Sequence, residues 1–472
     1  MINIKIHGHN NYYGVADVLR LYSDEVKEDK EGGQVIGVSD LAVTIISEVI
    51  DDVVYTYVDG TPRNAPTNHL EQIDTRRDVK RSLYLLLNNV TGKDMPWGCL
   101  TGIRPTLVAK EENFSAQSLE NKYMVREDKA KHAAVTATNE ERILSWHGED
   151  ELNIYVGVPF CPSRCEYCSF ISQDVLHHLD RLGMYKDALI HEIKAIAPKI
   201  RSKIASVYIG GGTPTVFDNQ DFGELIDVVR SELVEDGYTE FTVEAGRPDT
   251  ITEYKLRAMS EAGVGRICIN PQTMRDETLT RLNRRHGVND IIRTLDMARD
   301  NGIKNINMDL IAGLKYENSE DFLYSLNKVM ELNPENITIH TLYKKRRAAM
   351  SRSEVLDKYS ERGDVDKAVR EGYKLLEKDK YIPYYLYRQK DTGHGLENTG
   401  FALSGSECYY NVAMMTDRRS VLSFGAGGVS KRIFDAGRLE RCPCIKDAMG
   451  YIRQVDEMVE RKLAFLEGSV FI

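Results

Sequence analysis

No stretch of this 472-residue chain approaches the roughly 18 consecutive apolar residues of a membrane helix. The opening MINIKIHGHNNYYG has neither the basic start nor the apolar run of a secretory signal. A soluble, cytoplasmic protein is expected. Proline is scarce at 13 residues, and no Pro-rich tract or internal repeat appears, which excludes a solenoid or a long disordered linker. Positive charge is also in deficit. With 62 Lys plus Arg against 72 Asp plus Glu, the net charge is −10, so a broad phosphate-neutralising surface is missing and a general nucleic-acid binder is excluded. Nor do the eight cysteines form a disulfide framework. Cys161, Cys165 and Cys168 crowd together while Cys99, Cys268, Cys408, Cys442 and Cys444 are scattered, and clustered thiols in a long intracellular chain point to metal ligation or redox chemistry.

What remains, 42% hydrophobic and 28% charged, is ample for a globular core in two or three domains. Residues 1–148 read as an N-terminal α/β domain of unassigned role. INIKI (Ile2 to Ile6), VTIISEVI (Val43 to Ile50) and VVYTYV (Val53 to Val58) read as strands, with Asp51-Asp52 as a hairpin turn. Helical spacing follows over His69 to Val90 and Asp128 to Trp146, and Gly102-Ile103-Arg104-Pro105 reads as a structural turn. From 149 to 350 six short apolar strands alternate with amphipathic helices, beginning at Asn153, Ala205, Glu240, Arg266, Asn305 and Asn336. Six βα units in series imply parallel strands joined by crossover helices, in a barrel or an open sheet with its site at the strands' C-terminal ends. Residues 351–472 carry a charged helix, an aromatic strand YYLYRQ, a Gly-rich stretch and a terminal helix, and are expected to form a C-terminal domain covering the active site.

Directly after the first of these strands comes VPFCPSRCEYCSF, with the spacing C-x3-C-x2-C. Thiolates suit zinc or iron–sulfur clusters. Structural zinc wants a fourth ligand, and none lies nearby in sequence, with His177 and His178 reading as a helix start. Three thiolates on a four-iron cluster would instead leave one iron open to a small ligand. Gly210-Gly211-Gly212-Thr213-Pro214 ends the second strand. No Lys follows as in a phosphate loop, but the glycines let a ligand approach the backbone. Later strand ends carry Glu244 in VEAGRP, Gln272 in INPQTM, Arg284 in RLNRRH and Asp309 in MDLIAGL. Beyond the sixth strand, His340 opens the densest basic run in the chain, including Lys344, Lys345 and Arg346. Such a run is either a solvated helix face or an electrostatic rim that draws in an anionic substrate.

The cysteine loop, with Tyr167 before its third Cys, resembles the radical S-adenosylmethionine (SAM) superfamily. The wording VPFCPSRCEYC, VEAGRPDTIT, INPQTM, LENTGF and SFGAGGVSK is similar to the HemZ-type branch of oxygen-independent coproporphyrinogen III dehydrogenases. That resemblance implies a partial (β/α)6 radical-SAM barrel with an N-terminal α/β domain and a C-terminal α+β extension. It implies that Cys161, Cys165 and Cys168 hold a [4Fe–4S] cluster whose open iron takes SAM, cleaved after one-electron reduction to a 5′-deoxyadenosyl radical. Gly211, Gly212 and Thr213 match the segment against the methionine moiety of SAM. Glu244, Gln272, Arg284 and Asp309 match positions binding its ribose, adenine and carboxylate. Tyr155 matches a tyrosine beside the cluster and SAM, and is the candidate catalytic side chain. The implied substrate is a tetrapyrrole with four propionates, for which Arg247, Lys344, Lys345, Arg346 and Arg388, with help from Arg285, are candidate contacts. An electron donor such as flavodoxin or ferredoxin is the implied partner. The chain departs from the best-known members in having Phe170 where they carry a fourth Cys, Gly157 where they carry His, and GLKYEN after the fifth strand. Phe170 is shared with a heme-trafficking branch, and other relatives act on heme itself. Cys408, Cys442 and Cys444 read as ordinary thiols.

Overall fold

The computed structural model describes residues 1–23, 25–62, 75–168, 173–174, 179–342, 362–389, 395–434 and 438–467. They group into two compact units, one of Met1–Thr138 with Tyr387–Glu397, the other of Asn139–Leu386 with Asn398–Ile472. The expected boundary near 148 thus falls earlier, inside the helix Glu127–Leu144, and the chain returns once to the first unit.

In the first unit, β1 (Ile2–His7), β2 (Val26–Asp29), β3 (Gln34–Gly37), β4 (Val43–Ile50) and β5 (Val53–Val58) form a sheet of order β2-β3-β1-β4-β5. The β4–β5 hairpin turns on Asp51 and Asp52 with φ of 48° and 62°, a left-handed pair that matches the strand twist. Helices Tyr12–Leu19 and Thr75–Thr91 bury Val15, Val18, Leu83 and Leu87. The first of these helices and the strands β2 and β3 are additions to the sequence reading. Pro105 begins the helix Pro105–Glu111 at its first turn, where a missing N–H costs nothing, so the Gly102 to Pro105 turn is a helix entry. The first unit also holds a fully buried ion pair, Lys129 Nζ to Glu397 Oε1 at 2.6 Å, completed by Trp97 Nε1 donating to Glu397 Oε2 at 2.8 Å.

The second unit is built on β6 (Leu152–Val158), β7 (Phe160–Cys161), β8 (Gln173–Asp174), β9 (Ile204–Gly211), β10 (Glu240–Gly246), β11 (Arg266–Ile269), β12 (Asn305–Ala312) and β13 (Asn336–Thr341). Strands β6, β9, β10, β11, β12 and β13 lie side by side in chain order, all parallel, as the partial (β/α)6 barrel requires. All six expected strands are present. Their crossover helices Asn219–Leu233, Glu253–Glu261 and Ser319–Glu331 start at Asp218, Thr252 and Asn318, whose side chains accept backbone N–H groups. Ile154, Val156, Val207, Ile209, Val243, Ile306, Met308, Ile337 and Ile339 are wholly buried, while the alternating positions are polar or aromatic. With a side-chain period of two, one strand face is therefore apolar and the other lines a polar barrel interior.

The rest of the chain extends this sheet: β14 (Ile382–Arg388) and β15 (Glu397–Ala402) beyond β13, and β16 (Val421–Phe424), β17 (Val429–Ile433) and β18 (Leu439–Pro443) beyond β6. Residues 398–472 therefore share a compact unit with the barrel and do not form a unit apart. The reason is edge pairing. An open barrel leaves backbone groups of its end strands unmet, and the all-buried VLSF of β16 and the antiparallel β15 supply their partners. No helix among the described residues is long and apolar enough to cross a membrane.

Candidate functional site

Phe160 anchors the cysteine loop. Its ring is fully buried edge-on to Tyr185, with centroids 5.2 Å apart, and its carbonyl accepts Thr213 N–H at 2.7 Å, tying the loop to the glycine turn of the next strand. Gly212 donates to Val158 at 2.8 Å. A Cβ on Gly212 would lie 2.4 Å from Phe160 O and 3.0 Å from Cys161 Sγ, so only glycine passes there. Thr213 Oγ1 lies 3.6 Å from Cys161 Sγ. Further along, Ser163 Oγ donates to Asn283 O at 2.9 Å, and Asn283 Nδ2 returns a bond to Arg164 O at 3.0 Å. Cys165 is buried, Cys161 and Cys168 are partly exposed, and none of the three is in a disulfide.

Two guanidinium groups back the loop. Arg284 Nη2 donates to Tyr167 Oη at 3.0 Å and Nη1 to Asn270 O at 2.5 Å. As placed, it holds the loop's aromatic residue and does not present an open fork to a ligand. Arg247, expected at the substrate, is placed against the cysteine loop. Only 3% exposed, it donates to Ser163 O and Oγ and pairs with Asp249 Oδ1 at 3.1 Å, so it lies against the cysteine loop. Arg388, also expected at the substrate, is placed within the first unit. Its guanidinium donates to the carbonyls of Leu100 and Gly395 and stands 5.4 Å from the Trp97 ring centroid, a packing role inside the first unit. Arg285 is exposed, and Lys344, Lys345 and Arg346 lie outside the described residues, as do Phe170, His177 and His178.

At the strand ends, Glu244 Oε2 accepts Gly211 N–H at 3.2 Å. A Cβ on Gly211 would lie 3.1 Å from Tyr155 Oη, so Tyr155, Gly211 and Glu244 share one wall of the barrel interior. Asp309 Oδ1 accepts Asn307 Nδ2 at 2.7 Å, and Asp309 Oδ2 faces His340 Nε2 at 3.6 Å. Thr338 Oγ1 continues the chain to Asn307 Oδ1 at 3.1 Å. Burial, then the charge of Asp309, pushes Glu244 up to about 7, against the pull of the Gly211 N–H. Burial also acts on Asp309, but His340 and Asn307 overcome it and hold the acid below its ordinary range. His340 rises, because Asp309 outweighs the desolvation that opposes its charge. Gln272 takes a φ of 70°, with N–H to Asp309 O at 2.8 Å and C=O accepting Ile311 N–H at 3.0 Å, so its backbone locks against the strand bearing Asp309.

Sequence reasoning passed over two inward side chains. His340 was visible only as the start of a basic run, yet two-residue alternation from Thr338 turns it inward. Tyr208 stacks on Tyr410 at 4.6 Å and 18°, with its hydroxyl 3.9 Å from Cys268 Sγ. Cys408, by contrast, is a buried thiol directed at Glu240 Oε1, 3.3 Å away.

Among the described residues no three His, Cys, Asp or Glu side chains converge as ligands of a single metal ion. Three thiols spread along one loop, with glycine-cleared space beside Cys161 and donors facing Cys161 and Cys165, fit a larger polynuclear cluster. Residues 155–329 match the radical SAM superfamily. A Bacillus subtilis protein named oxygen-independent coproporphyrinogen-III oxidase-like protein HemZ is 34% identical over 83% of this chain and 82% of its own length. This chain belongs to the HemZ-like group of the radical SAM superfamily. Its cofactors are accordingly a [4Fe–4S] cluster and SAM, with the cysteine loop and the Tyr155, Gly211, Glu244 and Asp309 wall as their candidate seats. The Bacillus subtilis heme chaperone HemW is 27% identical over 58% of this HemZ-like chain and 69% of its own length. The solved structure of Escherichia coli coproporphyrinogen III oxidase (HemN), described as a radical SAM enzyme, superposes with a TM-score of 0.54 at 22% identity, over 68% of this chain and 73% of that one, and so shares the fold.

Proposed function

We propose that this chain catalyses the oxygen-independent oxidative decarboxylation of coproporphyrinogen III, converting propionates to vinyl groups on the way to protoporphyrinogen IX. The observation that carries the reading is the 34% identity with a coproporphyrinogen-III oxidase-like relative over 409 residues, 83% of this chain. When bound, the cluster and SAM supply a hydrogen-atom abstractor. The substrate would lose one hydrogen atom from a propionate β-carbon, then carbon dioxide, with the remaining electron passing to an external one-electron acceptor, leaving the vinyl carbon pair. A donor such as a flavodoxin or ferredoxin would supply the electron that the cluster needs.

In this reading the protein's part is to bind, orient and exclude water. Cys161, Cys165 and Cys168 would hold the cluster. Glu244 and Asp309 would accept from the ribose hydroxyls, Gln272 would border the adenine, and the Gly211-Gly212-Thr213 backbone would hold the methionine moiety. Tyr155 closes the wall beside them, and its burial, reinforced by Glu244, keeps the phenol neutral. Arg284 acts through Tyr167. The run Lys344, Lys345 and Arg346 remains the proposed rim for the substrate's carboxylates.

The test is anaerobic. Reconstituted protein receives SAM, a reductant and coproporphyrinogen III, and 5′-deoxyadenosine is followed together with tetrapyrrole mass. Stepwise carboxyl loss that tracks deoxyadenosine and disappears in Cys165→Ala supports the reading; deoxyadenosine with an unchanged tetrapyrrole overturns it. Phe170, in place of a fourth cysteine, favours a second reading as a heme carrier related to the chaperone HemW. Tight heme binding with no SAM cleavage above background would select that one, and ring-opened or methylated heme would mark an enzyme of heme.

A further inference from the structure

We propose that Arg247 is a positioning residue for the cysteine loop and that it raises the electron affinity of the cluster held there, by directing a buried N–H at the Cys165 sulfur. The inference rests on the loop holding an iron–sulfur cluster and is independent of which substrate the enzyme attacks.

Arg247 follows β10 by one residue, after the turn at Gly246 with φ +70°. Its Nη1 stands 2.9 Å from Ser163 Oγ, 3.2 Å from Ser163 O and 3.8 Å from Cys165 Sγ. The opposite edge of the fork is clamped. Nε and Nη2 meet Asp249 Oδ1 and Oδ2 at 3.1 and 3.3 Å, and Asp249 Oδ1 also receives His286 Nδ1 at 3.1 Å. The guanidinium therefore cannot swing towards a substrate. It fixes the span between the first two cysteines and presents a donor to one sulfur, with its counter-charge on the edge away from that sulfur.

Reduction of a cluster adds negative charge that spreads onto its thiolates. A fixed cation and an N–H···S contact stabilise the reduced state more than the oxidised one, most strongly where water is excluded. Lysine at this position would keep the charge but lose the planar fork that reaches Ser163 and Asp249 together.

The experiment is an EPR-monitored redox titration of reconstituted full-length protein, without substrate, with iron and sulfide measured on every sample. Arg247→Gln should take up the cluster yet show a roughly tenfold smaller equilibrium constant for reduction, a one-electron midpoint about 59 mV more negative, with Arg247→Lys between it and wild type. Asp249→Asn removes the counter-charge and should move the midpoint the other way. Unchanged midpoints in fully loaded Arg247→Gln overturn the proposal. If neither Arg247 variant loads iron, Asp249→Asn decides: a positive shift supports tuning, and no shift reduces Arg247 to a loop brace and overturns it. A wild-type protein that takes up no four-iron cluster at all would sink the cofactor assignment and this inference with it.

Discussion

Glu244 gives the sharpest quantitative test of the barrel interior. Its carboxyl is pushed up to about 7 from an ordinary 4.5, first by burial and second by the charge of Asp309. A carboxyl raised in the folded state is one the fold prefers protonated. Its contribution is complete below the unfolded value and is lost as pH rises through about 7. The full difference corresponds to about 3 kcal/mol, of which about 2.5 kcal/mol develops between pH 5 and pH 8.5. Glu244→Gln keeps an acceptor for Gly211 N–H and cannot ionise. In urea unfolding of the apoprotein, followed by circular dichroism, the variant should gain on wild type by about 2.5 kcal/mol between those pH values. Comparison at each pH cancels the titration of every other group. A wild-type-to-variant difference that stays flat across the range would refute the claim that Asp309 and burial act on this acid. Asp309→Asn should move the same transition to lower pH, because it removes the second cause while leaving the first.

Three further outcomes follow from the geometry. Lys129→Met leaves Glu397 buried without its ammonium and should cost about 3–5 kcal/mol, read as a lower midpoint in thermal melts followed through Trp97 fluorescence. Gly212→Ala sets a methyl against Phe160 O and Cys161 Sγ; iron and sulfide content after reconstitution should fall well below wild type while the far-ultraviolet spectrum is preserved. His340→Gln removes the imidazole facing Asp309 and should weaken SAM binding by about tenfold, roughly 1.4 kcal/mol, measured by equilibrium dialysis of labelled SAM on cluster-loaded protein.

The barrel was legible because its signals are local. Each parallel strand is buried on one face against helices, so runs such as NIYVGV and NINMDLI stand out against the amphipathic stretches around them, and the cysteine loop and glycine turn follow two of these runs directly. The first unit was read less fully. Its strands β2 and β3 are only four residues each, and VKED has no alternation to betray it. The surroundings of Arg247 and Arg388 were not legible for another reason. In an acidic chain an arginine near a candidate site suggests an anionic ligand, but where its fork ends depends on residues distant in sequence. For Arg388 these are Leu100 and Trp97; for Arg247, Ser163. Nothing in the wording RP or YRQ encodes those partners.

What the wording VEAGRPD does encode becomes clear once the turn is seen. Glu244 ends its strand facing inward, beside the Gly211 backbone. Gly246 then reverses direction at a positive φ that a side chain would strain. The reversal delivers Arg247 to the cysteine loop and Asp249 to the arginine's far edge. The four residues from Glu244 to Arg247 thus join the acid proposed for the SAM ribose to the cation proposed for the cluster. Lys255 secures the joint from behind, donating to Thr215 O at 2.7 Å and Thr250 O at 2.9 Å, while Thr215 Oγ1 bonds Ala245 O at 2.8 Å. Because the glycine turn and the VEAGRPD turn are pinned to each other in this way, a substitution at Lys255 should disturb SAM binding and cluster potential together, although Lys255 makes no contact with either seat.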